Sequence, residues 1–151
     1  MSTRALTAPW LLVGVAWAAL VWGAEVNPPL PTATVVLAGR VSIVAELAQR
    51  PEEQILGLSN RPALEPGRGM LFVYERPQPV GIWMKDMRFP LDILWIREGR
   101  IVKIEKDAPP LVPGGPERVY TATADLVLEV PAGLADREKL RLGDSARVRQ
   151  P

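Results

Sequence analysis

The chain predicts a mainly β fold, a β-sandwich or barrel-like sheet with one or two short helices in its connections. Three observations carry that expectation. Apolar and polar residues alternate over short runs, Gly and Pro break those runs at regular intervals, and only two stretches carry helix signals. Strands at such spacing, with small helices between them, bury their apolar faces by stacking or by closing on themselves.

Taken in order, a strand at residues 35–38 precedes a clear alternating run at residues 41–47. There Val41, Ile43, Ala45 and Leu47 point one way, and Ser42 and Glu46 the other. Pro51-Glu52-Glu53 then opens a helix, because proline suits the first turn and acids suit the positive end of the dipole; Gly57 ends it. Strands follow at residues 70–74 and 81–84. Leu91, Ile93 and Trp95 share a face, with Asp92, Leu94 and Ile96 opposite. The Glu98-Gly99 turn joins that run to residues 100–106, where Val102 and Ile104 alternate with Lys103 and Glu105, the clearest hairpin in the chain. Strands at residues 126–130 and 146–149 complete the set. A second short helix falls between about Leu134 and Leu140, stopped at Gly143.

Ahead of this domain the composition changes. Residues 1–24 begin with Arg4 among small polar residues, continue through an apolar stretch holding Trp10, Trp17 and Trp22, and end on Gly23-Ala24. That is the layout of a secretory signal peptide. The apolar stretch falls short of the roughly 20 residues a spanning helix needs. The alternative is an uncleaved anchor over residues 9–22, which would then be the chain's contact with a membrane. Residues 25–31 contain Pro28, Pro29 and Pro31 and form a stiff linker. The remaining residues, 32–151, make one β-rich domain, placed outside the cytoplasm in the periplasm or beyond.

Charge and composition then remove whole classes of function. The chain has 18 basic and 17 acidic residues, and taking away Arg4 with the leader leaves 17 against 17. Nucleic-acid binders carry a basic surplus or stripe, so no nucleic-acid partner is expected. There is no Cys and no His. A conventional zinc site is therefore excluded, as are Ser–His and Cys–His nucleophilic pairs. No disulfide supports the domain, so its core must. No metal and no cofactor is implied.

Several strings resemble a known family in order and spacing. They are Gly57-Leu58 with Arg61 and Leu64, GMLFVY at residues 69–74, WMKDM at 83–87, PLDILWI at 90–96, GRIVKI at 99–104, VLEVPAG at 127–133 and LGD at 142–144. Together they resemble domain-of-unknown-function family 192, the uncharacterised ACR proteins, over about residues 35–148. The resemblance implies a small β-rich domain, often carried behind a signal peptide, with no established activity. One departure stands out: the fourth position of the WMK string, Asn in the family pattern, is Asp86.

The segment from Arg61 to Asp92 concentrates the chemistry. Strand alternation puts Trp83 and Lys85 on one face and Met84 on the other, so that an aromatic surface and a cation project together. That pair suits a sugar ring, an aromatic ligand or a peptide carboxylate. Asp92 and Glu129 each sit inside strongly apolar runs, where a carboxylate either points to solvent or is paired inside; Arg61 is the simplest partner for Asp92. Met70, Met84 and Met87 suit core filling, with a thioether Cu(I) site as the sharper reading.

The preferred function is a non-enzymatic binding module of the cell envelope. Its ligand-binding residues are Arg61, Trp83, Lys85, Asp92 and Glu129, and its partner is a small ligand or envelope component. No catalytic residue is assigned. Two alternatives are a glycan hydrolase using Asp92 and Glu129 as acid and base, and a methionine-based Cu(I) binding protein. The leader reading generates a direct test: in a secreting host the mature chain should begin at Ala24 or Glu25, read by intact mass. Full-length protein recovered in the membrane fraction would favour the anchor.

Overall fold

The computed structural model describes residues 29–149. The leader and residues 25–28 of the linker lie outside the described residues. Among the described residues seven strands form one sheet: β1 (Thr32–Leu37), β2 (Val41–Ala48), β3 (Arg68–Trp83), β4 (Leu91–Arg97), β5 (Arg100–Ala108), β6 (Val119–Pro131) and β7 (Ala146–Arg149). Helices α1 (Pro51–Leu56) and α2 (Leu134–Arg137) sit in connections. The spatial order is β5-β4-β6-β3-β2-β1-β7, antiparallel except where β2 and β3 run parallel across the α1 crossover. The mainly β expectation is met as a curled, barrel-like sheet.

Curling brings the two edges together at one end. Arg100 of β5 bridges Ser145, just before β7. Ile101 N–H donates to the Asp144 carbonyl at 3.0 Å, and Ala146 N–H donates to the Gly99 carbonyl at 2.8 Å. These bonds use backbone groups that an open edge would leave exposed. The turn that feeds them is the expected hairpin: Glu98 and Gly99 both take positive φ, 52° and 72°, as a two-residue turn matched to strand twist requires.

The alternation read from the sequence divides the apolar residues between two cores, one on each face. The concave core contains Val35, Leu37, Ile43, Leu71, Leu94, Ile96 and Leu128, capped by Leu134 and Ala135 of α2. The other contains Met70, Phe72, Ile82, Met84, Leu91, Ile93 and Trp95, covered by α1 and the loops. Trp95, wholly buried, donates its indole N–H to the Val80 carbonyl at 3.1 Å, so its one polar atom is satisfied. Strands β4 and β6 serve both cores at once.

Two elements are longer than the pattern indicates. Residues 70–74 and 81–84 belong to one strand, β3, whose pairing with β6 shifts between Val73 and Gln78. Pro77 falls in that irregular stretch, where a residue lacking N–H is tolerated. Strand β6 begins at Val119 rather than near Leu126 because its first half alternates Tyr120, Ala122 and Ala124 against Thr121 and Thr123, a contrast too small to register. Helix α2 is correspondingly shorter than the stretch from Leu134 to Leu140.

Asp92 occupies the concave face and is fully buried. The Asp107 and Gly133 N–H groups donate to its Oδ1 at 2.9 and 3.2 Å, and the Ala135 N–H donates to Oδ2 at 2.7 Å. A β-irregularity in β5, with Asp107 at φ 50°, aims the first donor. The carboxylate thus ties β4 to β5 and to the β6–α2 turn. Arg61 is not its partner, contrary to the pairing the sequence favoured. Arg61 instead grips Glu46 of β2 through two bonds, at 2.5 and 2.9 Å, on the other side of the sheet. Hydrogen bonding to Arg61 holds the Glu46 carboxyl below its usual range.

Replacing Asp92 by Asn puts an amide N–H where one of the two accepting oxygens stands, so that at least one backbone donor faces another donor, a loss of roughly 3 kcal/mol or more. The melting temperature should fall by about 10 °C or more. Because Arg61 and Asp92 share no partner, Arg61→Ala should add to Asp92→Asn within roughly 0.5 kcal/mol in a double-mutant cycle. Strong coupling would contradict this arrangement.

Candidate functional site

On the covered face, register places Glu46, Met70, Glu129 and Ile93 in one row across β2, β3, β6 and β4. At the Glu129 position a cleft of about 350 Å³ opens between the sheet and α1. Its wall on the α1 side is set by the local sequence. Pro51 starts the helix, and the Glu53 carboxylate accepts the Gln49 and Arg50 N–H groups, each at 2.9 Å. Gln54 anchors the helix to the sheet, its amide donating to the carbonyls of Ala48 at 3.2 Å and Val73 at 3.0 Å. Gly57 ends it as expected, at φ 50°, a backbone conformation that residues other than glycine rarely adopt.

The floor is Glu129. It is 4% exposed, and among the described residues no hydrogen bond or ion pair reaches its carboxyl, which still lines the cleft. A Cβ at Gly69 would lie 2.6 Å from the Glu129 carbonyl, so β3 can approach β6 here only with glycine. Burial alone raises the Glu129 carboxyl to about 8. Tyr74, which also lines the cleft, has its hydroxyl raised first by burial and then by Glu129. Phe72, Ile82, Trp83 and Met87 supply apolar walls. Ile55, Trp83 and Val119, 68%, 44% and 53% exposed, form the rim.

Of the five residues singled out by sequence, the structure brings three to this region. Glu129 is at the floor and Trp83 at the rim. Lys85 points outward beside Trp83, its Nζ 5.5 Å from the ring centroid, in an adjoining groove with Glu52 and Asp86. Met84, between them in sequence, is buried as alternation required. Arg61 lines a separate groove with Leu30 and Met70. Asp92 is on the opposite face of the sheet. Glu129 and Asp92 therefore flank no common bond, and the two-carboxylate hydrolysis expected as an alternative lacks its geometry. Met70 and Met84 are each 1% exposed within the apolar core, the packing role, while Met87 lines the cleft.

The pattern did not single out Phe72, Tyr74 and α1 as site components. Phe72 and Tyr74 do alternate with Leu71 and Val73 in GMLFVY, which was the available signal. The departure at Asp86 is also accounted for. Asp86 takes φ 58°, a conformation that Asn and Asp adopt more readily than other side chains. Its carbonyl accepts the Asn60 N–H at 2.8 Å, a bond that either residue can form.

A small curled β-sheet with an apolar cleft around one buried carboxyl is the class that fold and site define. The chain belongs to domain-of-unknown-function family 192, described as uncharacterized ACR, whose pattern matches residues 33–148. It is similar to a proposed transcription regulator from Sinorhizobium meliloti 1021, with 31% identity and a TM-score of 0.73 over 80% of this chain and 95% of that one. It is also similar to a protein of unknown function from Novosphingobium aromaticivorans DSM 12444, with 30% identity and a TM-score of 0.68 over 79% and 84% of the two chains. No curated protein matches the chain.

The Glu129 carboxyl makes stability depend on pH. Folding raises it from an ordinary carboxylate value of 4.5 to about 8. Between those values the unfolded chain has lost the proton and the folded chain keeps it, so the contribution of this one group to stability is greatest below about pH 4.5 and falls as pH rises toward 8. The gap is worth a few kcal/mol at about 1.4 kcal/mol per pH unit. Glu129→Gln should raise the melting temperature by several degrees at pH 8 and change it little at pH 4.5. An equal effect at both would show that Glu129 is ionised in the fold.

Proposed function

We propose that this chain is an exported, non-enzymatic binding module of the cell envelope whose small ligand enters the cleft over Glu129. The observation that carries the reading is the Glu129 carboxyl itself, buried, unpartnered among the described residues and lining an apolar cleft. A largely buried carboxyl without a hydrogen bond costs a fold free energy, and its opening onto the cleft leaves room for a bound molecule to supply the missing partner. Exposed apolar side chains at the rim add to the case, since a binding surface is where they are used. The cleft volume is that of a small-molecule site. The composition outside the leader, 17 basic against 17 acidic residues, supports a partner other than nucleic acid. The leader-like residues 1–24 support export.

The test is a titration of the purified chain with a panel of small cationic, neutral and anionic aromatic compounds, read at the Trp83 indole by NMR. At least one compound should shift that resonance saturably below about 10 mM, and Trp83→Ala, followed instead at the methyl group of Met87 in the cleft lining, should weaken binding roughly tenfold. No saturable shift from any compound, or shifts elsewhere that are indifferent to Trp83→Ala, would end the binding reading.

A further inference from the structure

We propose that the cleft takes a small organic cation, a quaternary or protonated amine on an apolar body, seated with its charge against Glu129 and among the rings of Phe72, Tyr74 and Trp83. The inference rests on the binding reading above and names the class of ligand. The charged and aromatic part of the lining favours positive charge. Among the described residues Glu129 is its one carboxyl, and no Lys or Arg side chain lines it. Three aromatic rings line it, a residue type whose π faces attract ammonium groups, and the Met87 thioether is polarizable. The Trp83 ring already receives one cation, the Lys85 ammonium from the adjoining groove. The exposed Ile55, Trp83 and Val119 at the mouth would cover the ligand's apolar body.

A cation also resolves the state of Glu129. Without a positive partner, burial keeps its proton on up to about pH 8. An ammonium beside it restores the charged form, so the ligand's entry releases that proton to solvent. The surrounding elements supply little competition. Strand β3 contributes Tyr74, the other titratable group of the lining, and β4 places Ile93 opposite Glu129. Helix α1 and the turn after it face the cleft with Gln54, Ile55, Leu56 and Ser59. The charged Glu52, Lys85 and Asp86 lie in the adjoining groove, outside the cleft lining.

The probe is benzyltrimethylammonium, whose charge does not titrate, with benzyl alcohol and benzoate as neutral and anionic comparators. Each is titrated calorimetrically into the full chain between about pH 6 and 8.5, in buffers of unlike ionisation enthalpy. The ammonium should bind at least about tenfold more tightly than benzyl alcohol at the upper pH, and benzoate more weakly than either. Its affinity should fall by up to about tenfold per pH unit below 8, with close to one proton released per site. Glu129→Gln, checked for folding by its melting curve, should lose both the cation preference and the proton release while holding benzyl alcohol within about twofold. Trp83→Leu, at the exposed rim, should weaken the ammonium more than the alcohol, and serves if Glu129→Gln does not fold.

The inference is overturned if benzyl alcohol or benzoate binds as tightly as the ammonium, if affinity is flat with pH, or if Glu129→Gln keeps the cation preference. Any of these leaves the cleft a binding site for another class of ligand. Failure of every compound in the broader panel would remove the binding reading as well.

Discussion

Burial on both faces of strands β4 and β6 is the constraint from which the rest follows. From Leu91 to Ile96 every residue of β4 is buried, and on β6 the same holds from Val127 to Val130. A side chain in either segment therefore has no route to bulk water except through a cavity. Two carboxyls are nevertheless placed there, Asp92 and Glu129, one register step apart on neighbouring strands. Alternation turns them to opposite faces, and their fates differ. Asp92 meets three backbone donors and becomes a tie between β4, β5 and the β6–α2 turn. Glu129 meets none among the described residues, and the sheet opens a cleft at its position.

The cleft depends on features that would be faults elsewhere. The irregular stretch of β3 lets one strand serve two registers against β6, so that Phe72 and Tyr74 from its first half and Ile82 and Trp83 from its second line one cavity. The α1 crossover, needed to connect the parallel strands β2 and β3, supplies the facing wall. Glu46 shows what Glu129 would look like if it were structural. It lies in the same row, two strands away, and has a guanidinium bound in a bidentate grip. The contrast between two glutamates in one row, one paired and one bare, is the reason for reading function into the second.

Much of the fold was legible because hydrophobic alternation survives wherever large and polar residues take turns. The split of Leu91, Ile93 and Trp95 from Asp92, Leu94 and Ile96 was visible in the letters alone, as were the Glu98-Gly99 turn and the α1 boundaries. The early part of β6 was not, because Ala and Thr differ too little in size and polarity to display a period. Continuity of β3 across Pro77 was hidden by a residue that usually ends strands. The site divided in the same way. Trp83, Lys85 and Met84 followed from alternation. The partner of Arg61 did not, since Glu46 and Asp92 both sit in β patterns and only the crossover decides which face Arg61 reaches. That Glu129 has no partner among the described residues is a three-dimensional feature with no counterpart in its neighbours Leu128 and Val130.

The chemistry of the cleft turns on the protonation state of one carboxyl, Glu129, and that state can be observed directly. Infrared difference spectroscopy of the unliganded chain against Glu129→Gln isolates the carboxyl stretch of this residue. A protonated-acid C=O band present at pH 7 and disappearing near pH 8, without ligand, is the expected result. An ionised carboxylate signal persisting down to about pH 5 would mean that Glu129 is solvated or paired after all, and the cleft would lose the feature that defines it.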